Sequence, residues 1–291
     1  MALAGTDRRP QTVLLASDLT PACDRAFDRA VQKASDWDAQ LVVCHVVEAS
    51  SLRPWGIEQR VRNAEIEVER LVQSVSLAQK PARHIVIGDP AERTSEHAQA
   101  IGSDFIVTGP AHGKIVGDKL LGSTAARIVR HSKQPVLAVR RRAMGPYATV
   151  AVAVDFSEPS QRAFRCARSL FARSQFSLVH AYAVLPDYSG RNADRALDVV
   201  ESEEKARVIR MAEQDMADLI GSNRQETNVE TVLEQGSPES VMVAYVDKHW
   251  PDLVVAGTHG QTGMQQSLIG SVAEGFLRSL SCDVLAVPTR Q

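Results

Sequence analysis

The chain has 291 residues, nearly twice the ~150 that are typical of one domain, so its length favours two domains. Hydrophobic residues make up 44% and charged residues 23%, which excludes a disordered chain and is typical of a globular protein with a buried core. A net charge of -2 gives no general attraction to nucleic acid, and no stretch approaches the ~18 apolar residues of a membrane span. We therefore expect a cytoplasmic protein without nucleic-acid or membrane partners.

In the first half, short apolar runs alternate with longer amphipathic patterns. The runs predict strands at Thr12–Ser17, Gln40–Val47, Arg83–Ile87, Asp104–Thr108 and Val136–Arg140. Helical periodicity predicts a first helix at Ala22–Ser35 and a second at Ile57–Ala78. Because the runs are apolar throughout instead of alternating, they indicate a parallel sheet covered by helices on both faces.

The same order of elements returns after a break at residues 141–146, which we interpret as a linker. The second half has predicted strands at Thr149–Val154, Gln175–Ala183, Glu230–Glu234, Asp252–Ala256 and Val284–Pro288. Its predicted helices lie at Ser160–Ala172 and Ala193–Ile220. The chain therefore contains two βα-type units of the same plan.

Matched segments show that the two units are copies of each other. Asp18 aligns with Asp155 at an offset of 137, and His45 aligns with His180 at 135. Later pairs, namely GDPAE with GSPES, SDFIVTG with PDLVVAG, LLGST with LIGSV and PVLAVR with DVLAVP, share an offset of 148. The sequence thus predicts a duplicated domain, residues 1–143 and 144–291, with a 13-residue insertion in the second copy.

Ligands of open α/β sheets bind beyond the carboxyl ends of the strands, and the second copy has suitable residues there. Asp155 follows its first strand, and Gly257-Thr258-His259-Gly260 follows its fourth. Nine residues later, Gly270-Ser271 stands at the start of a helical pattern. Glycines let the backbone approach a ligand closely, and the free N–H groups of a helix start attract phosphate oxygens.

This spacing, Gly257-x2-Gly260-x9-Gly270-Ser271, resembles the nucleotide-binding motif of the ATP-binding universal stress proteins. VAVDFSEPS, GSPES, DLVVAGTHG and the final DVLAVP also resemble that family, and the similarity runs through both halves. It implies an α/β protein of two Rossmann-like domains, of the adenine-nucleotide alpha-hydrolase-like type, each a five-stranded parallel sheet flanked by helices. Single-copy members commonly pair through the fifth strand, so the resemblance implies an intramolecular pseudo-dimer, with further homodimerisation left open.

The resemblance also implies which residues bind ATP or another adenine nucleotide, with or without Mg²⁺. In the second copy they are Ala153, Val154, Asp155, Ala181, Ala256, Gly257, Thr258, His259, Gly260, Gly270, Ser271 and Val272. Many members carry Lys or Arg after the second glycine, whereas this chain has Gln261. Less charge compensation for a triphosphate predicts weaker binding or a greater need for Mg²⁺.

The first copy departs further from the motif. Its counterpart residues are Asp18, Val46, Gly109, Gly113, Gly122 and Ser123. Three residues, not two, separate Gly109 from Gly113, and Pro110 removes an N–H from the loop. We therefore expect a degenerate site in the first domain and an intact one in the second.

Simpler interpretations stay open beside this one. Asp18 and Asp155 are also suited to turns or helix caps, and His45 and His180 to the neutral core of a strand. The histidine and cysteine spacings predict no metal site, and no catalytic residues are recognised. Three functions follow: a nucleotide-responsive stress regulator with an unknown protein partner, a slow ATP hydrolase or phosphotransferase, and an interaction scaffold that binds no nucleotide.

Overall fold

The computed structural model describes residues 9–48, 54–109, 114–116, 119–121, 124–183, 196–221, 228–258 and 269–289. The strands are β1 (Thr12–Ala16), β2 (Gln40–Val47), β3 (Ala82–Ile87), β4 (Phe105–Thr108), β5 (Lys114–Val116), β6 (Lys119–Leu121), β7 (Val136–Ala138), β8 (Thr149–Ala153), β9 (Gln175–Tyr182), β10 (Val229–Gln235), β11 (Leu253–Gly257) and β12 (Asp283–Val287). The helices are α1 (Asp24–Trp37), α2 (Pro54–Gln73), α3 (Pro90–Ala100), α4 (Thr124–His131), α5 (Glu158–Leu170), α6 (Ala196–Gly221), α7 (Pro238–His249) and α8 (Ser271–Ser279).

Ten of these strands form one continuous sheet, in the order β10-β9-β8-β11-β12-β7-β4-β1-β2-β3. Every neighbouring pair is parallel except β12 and β7, which are antiparallel at the centre. Each half is therefore a five-stranded parallel sheet, and the two halves are related as a pseudo-dimer. This confirms the predicted fold class and the predicted adjacency of the two fifth strands.

Helices cover both faces of the sheet, as the continuous apolar strands predict. On β1, Val13 and Leu15 belong to one buried cluster and Leu14 belongs to the other, because successive side chains point to opposite faces. The first cluster packs under α1, α2, α5 and α6, and the second under α3, α4, α7 and α8. No helix in the described part of the chain is both long enough and apolar enough to span a membrane.

Helices α3 and α7 were not placed from the sequence, although their starting residues lie in the repeated GDPAE and GSPES blocks. Asp89 caps α3 by accepting hydrogen bonds from the N–H groups of Ala91 and Glu92, and Ser237 caps α7 through Ser240 N–H. A proline follows each cap at the first helical position, where its missing N–H costs nothing. The small antiparallel pair of β5 and β6 was also not predicted.

The junction between the halves is held by a carboxylate that has no counterpart in the first copy. Asp283 is 0% exposed and accepts hydrogen bonds from the hydroxyl of Tyr147 (2.7 Å) and the N–H groups of Arg140 (2.7 Å) and Arg141 (2.9 Å). The Arg29 guanidinium of α1 lies 3.7 Å away. These bonds draw residues 140 and 141 out of the ladder, so β7 ends at Ala138 and not at the predicted Arg140.

Candidate functional site

In the second half, β8 lies between β9 and β11, so the chain leaves its carboxyl end in opposite directions on the two sides. Such a reversal opens a crevice in which α/β proteins bind ligands. The structure brings Ala153, Val154 and Asp155 after β8, Ala181 near the end of β9, and Ala256, Gly257 and Thr258 at the end of β11 to this one edge. We refer to this group as the carboxyl-edge site.

The Asp155 carboxylate is built into a tight turn. Its Oδ1 accepts hydrogen bonds from the N–H (3.1 Å) and the hydroxyl of Ser157, and Ser157 in turn caps α5. Between them, Phe156 has a φ of 64°, in the left-handed region that a bulky residue rarely adopts. Asp155 is half-buried and faces the crevice end of the strand. The turn interpretation of this aspartate is thus supported, and its carboxylate still lies at the predicted place.

The loop after β11 is pressed against the start of α5. A Cβ on Gly257 would lie 3.0 Å from the carbonyl oxygen of Pro159, so any side chain there requires the adjoining backbone to shift by a few tenths of an ångström. The Thr258 N–H donates to the Val287 carbonyl (3.0 Å), and the Thr258 carbonyl accepts from the Gly270 N–H (2.7 Å). These bonds close the loop between residues 258 and 270 and bring the start of α8 to the same edge.

The amino end of α8 has no side-chain cap. Side chains cap α3, α5 and α7, whereas Gly270 at the N-cap of α8 offers none, and Cys23 at the N-cap of α1 makes no such bond either. Ser271 is exposed and Val272 is half-buried at this end. Because the first N–H groups of a helix lack partners within it, an uncapped start favours an anion. The Gly270 N–H is not among the available donors, since Thr258 accepts from it.

Each half of the chain contributes a charged side chain near this helix start. Glu274 lies in the first turn of α8, and the guanidinium of Arg130 on α4 is 4.0 Å from its carboxylate. The two side chains are 40% and 32% exposed, so solvent screens the pair. Arg130 offsets a carboxylate that would otherwise oppose an anionic ligand.

Part of the predicted site lies outside the described residues. This applies to His259 and Gly260 in the second copy and to Gly113, Gly122 and Ser123 in the first. The structure relates the two ends of the second-copy glycine loop through Thr258 and Gly270, and the nucleotide-binding role of every residue of the predicted site stays a prediction.

In the first half, the equivalent edge repeats the turn but fills the space around it. Asp18 Oδ1 accepts hydrogen bonds from Thr20 N–H (2.9 Å) and hydroxyl (2.7 Å). Gly109 is buried, and a Cβ on it would lie 2.7 Å from Cys23 Sγ. Burial raises the pKa of the Asp18 carboxyl, but hydrogen bonds from Thr20 and Cys23 outweigh it, so the pKa lies below its usual value. Val46 is half-buried where the second copy has the smaller Ala181.

Sequence reasoning missed the role of two side chains at the carboxyl-edge site. His180 is half-buried, and its Nδ1 lies 2.8 Å from the Val154 carbonyl oxygen; the interpretation as a core histidine did not include this contact. The Ser160 hydroxyl accepts from the Asp155 N–H at 3.3 Å. The repeat of His45 and His180 was the available signal, since a histidine at the same strand position in both copies suggests a shared contact.

Comparisons with known proteins agree with the repeat and with the fold. The model of the universal stress protein family matches residues 10–140 and again residues 146–288. A putative universal stress protein of Staphylococcus haemolyticus is 29% identical over 147 residues, which are 50% of this chain and 87% of the relative. Universal stress protein A homolog 1 of Coxiella burnetii is 34% identical over 140 residues, covering 44% of this chain and 94% of its own. A solved universal stress protein from Archaeoglobus fulgidus has a TM-score of 0.70 at 17% identity, covers 99% of both chains, and supports the fold.

Proposed function

Because the chain belongs to the universal stress protein family, with one family domain in each half, we propose that it is a nucleotide-responsive stress regulator. In this proposal, the second half binds ATP or another adenine nucleotide at the carboxyl-edge site. The bound nucleotide biases the surface that the chain presents to a protein partner. The first half serves as a structural counterpart with a degenerate site.

The observation that carries the proposal is the uncapped start of α8 beside the Asp155 turn. The N–H groups of Ser271 and Val272 are suited to donate hydrogen bonds to phosphate oxygens, in the manner of other helix starts that bind anions. Gly257 allows the end of β11 to lie close against Pro159 at the start of α5. Asp155 and Ala181 at the neighbouring strand ends are then suited to the nucleoside.

Charge compensation in this site is modest. Gln261 stands where many relatives carry a cation, and Arg130 is already paired with Glu274. A triphosphate therefore depends on backbone N–H groups, and a Mg²⁺ ion would be held mainly by phosphate and water oxygens, as this ion commonly is. We expect EDTA to weaken ATP binding more than adenosine binding.

The alternatives have weaker support. Asp155 accepts a hydrogen bond from Ser157 in the same way as Asp18 accepts one from Thr20. An interaction scaffold that binds no nucleotide would also have this arrangement. A hydrolase needs a base or a nucleophile beside the phosphates, and the described residues at the start of α8 supply the Ser271 hydroxyl and the Glu274 carboxylate, which is paired with Arg130. We therefore place the regulator ahead of both.

The test is mass analysis of ligand released from the freshly purified, heat-denatured full chain, followed by calorimetric titration with ATP. We expect about one adenine nucleotide per chain, as one intact site predicts. The variant Ser271→Glu keeps a residue that suits a helix start but repels phosphate, and it should weaken ATP binding at least about tenfold.

The matched control is Ser123→Glu, the equivalent position of the first copy, which should leave the affinity unchanged. Two nucleotides per chain would contradict the proposed asymmetry of the two sites. If the wild-type chain bound no nucleotide, the result would favour the interaction scaffold. Phosphate release that is lost in the Ser271 variant would favour the hydrolase.

A further inference from the structure

The imidazole of His180 touches the Asp155 turn on both sides of the aspartate. Its Nδ1 lies 2.8 Å from the carbonyl oxygen of Val154, the residue before Asp155. Its ring packs on Phe156, the residue after Asp155, with the ring centroids 4.5 Å apart and the planes inclined by 39°. One side chain of β9 therefore contacts both neighbours of the aspartate on β8.

The contact with Val154 defines the tautomer of the ring. A carbonyl oxygen only accepts, so Nδ1 must carry the proton and donate it. In the neutral ring, Nε2 is then left as an acceptor.

The turn needs this support because its backbone is strained. Phe156 has a φ of 64°, and such a conformation persists in a bulky residue only when its surroundings enforce it. The Val154 N–H still donates to the Val179 carbonyl of β9 at 3.0 Å, so the strand ladder reaches this residue. Beyond it, the His180 ring holds the chain at the point where β8 leaves the sheet.

The first half uses the same device. His45 Nδ1 lies 2.8 Å from the Ser17 carbonyl oxygen, and Leu19 has a φ of 58°. The positions of Ser17, Asp18 and Leu19 correspond to those of Val154, Asp155 and Phe156. A histidine that merely filled core space would have no reason to make the same polar contact twice.

We propose that His180 is a positioning residue for the carboxyl-edge site: it fixes the Val154–Phe156 turn so that Asp155 and the backbone beside it meet the nucleoside. This inference rests on the proposed nucleotide binding and adds a residue that touches no ligand itself. The phosphates bind elsewhere, at the start of α8, so His180 acts on the nucleoside part of the ligand alone.

Three variants of the full chain test the inference. In His180→Asn, the amide nitrogen reaches about the place of Nδ1 and can donate to Val154. In His180→Phe, the ring remains against Phe156 but the donor is lost. His180→Gln is a second variant without the donor at that place, in case the phenylalanine variant does not fold.

We expect the Asn variant to keep ATP affinity within about threefold, and the Phe and Gln variants to lose roughly tenfold, the upper range for one neutral hydrogen bond. The affinity for inorganic tripolyphosphate, measured by competition, should stay unchanged in all three. A purely structural role would not separate ATP from tripolyphosphate. His45→Phe is the matched control, because it removes the same bond from the first half and should leave both affinities unchanged.

The outcomes separate this inference from the proposed function. If wild-type protein binds ATP and His180→Phe binds it equally well, the positioning role is wrong and the nucleotide site stands. If ATP and tripolyphosphate weaken together, His180 supports the domain as a whole and the inference is again wrong. If wild-type protein binds no nucleotide, the proposed function fails first and the inference fails with it.

Discussion

The two carboxyl edges of this chain share a backbone plan and differ in what fills it. In both, an aspartate follows the first strand, and the next residue has a left-handed φ. A histidine of the second strand makes a hydrogen bond to the carbonyl oxygen of the residue before the aspartate. In the first half, Cys23 fills the space beside Gly109, whereas Gly257 faces the Pro159 backbone. The comparison shows that two copies of one fold can share the same backbone turns while different groups pack beside them.

The starts of the first helices, α1 and α5, also differ between the two halves. Ser157 caps α5, but the chain before α1 forms a short 3-10 turn, Pro21–Cys23, without a side-chain cap, because the Thr20 hydroxyl donates to Asp18. Burial raises the pKa of the Cys23 thiol to about 11, so the sulfur remains a protonated filling group at neutral pH. Each half therefore has a described helix start without a side-chain cap, at α1 in the first half and at α8 in the second.

The largest expected effect is a loss of stability at the junction, where the two halves are not equivalent. Asp283 has Pro135 as its counterpart, so only one half supplies the buried carboxylate. Asp283→Ala should lower the free energy of unfolding by about 3–5 kcal/mol, because the Arg29 charge stays buried without its partner. Urea unfolding measures this loss. Tyr147→Phe removes one hydroxyl from the same cluster and should cost only about 1–2 kcal/mol; equal losses would contradict the central role of the carboxylate.

The next effect sharpens the comparison of the two glycines. Gly257→Ala and Gly109→Ala should each destabilise by about 1–3 kcal/mol through overpacking. Gly109 meets a side chain, so adding Cys23→Ala should recover most of the loss there. No side-chain change relieves Gly257, because its neighbour is the backbone carbonyl of Pro159.

Thermal unfolding and ATP titration check these glycine variants. Only the Gly257 variant should weaken nucleotide binding. A Gly109 variant that Cys23→Ala does not rescue would show that the sulfur is not what closes the first site.

The smallest effect concerns pH and the outer edges of the sheet. His84 on β3 and His97 on α3 stack with their ring centroids 3.5 Å apart, whereas the second copy has Val232 and Tyr245 at these positions. Burial lowers the pKa of both rings, and the charge of His84 lowers the pKa of His97 further. The unfolded chain therefore binds protons first as pH falls below the usual value of about 6.5, so stability declines from there towards the folded pKa values.

The double variant His84→Val with His97→Tyr copies the second half and should flatten this decline below about pH 6.5. Unfolding free energies measured at each pH give the two curves. Parallel curves for wild type and variant would show that other groups cause the acid sensitivity.

Much of the fold followed from local patterns in the sequence. The five strands of each half were predicted to within two residues at nearly every end, because fully apolar runs require a sheet covered on both faces. Helices α3 and α7 were missed because neither shows a clear apolar stripe: α3 buries only small or polar side chains, and α7 is apolar around most of its circumference. Asp89 and Ser237 with their following prolines are nevertheless start signals. The nucleotide residues came from the spacing of glycines and a family resemblance, and their role stays a prediction.

The sequence by itself determined the duplication, the parallel architecture of each half and the unequal glycine loops, because these depend on order, periodicity and spacing along the chain. Only the tertiary structure decided which groups fill each edge: Cys23 against Gly109, His180 on Val154, and His84 on His97. These contacts join residues on different elements. Local periodicity carries no information about such distances, and only the packing of helices on the sheet brings the groups together.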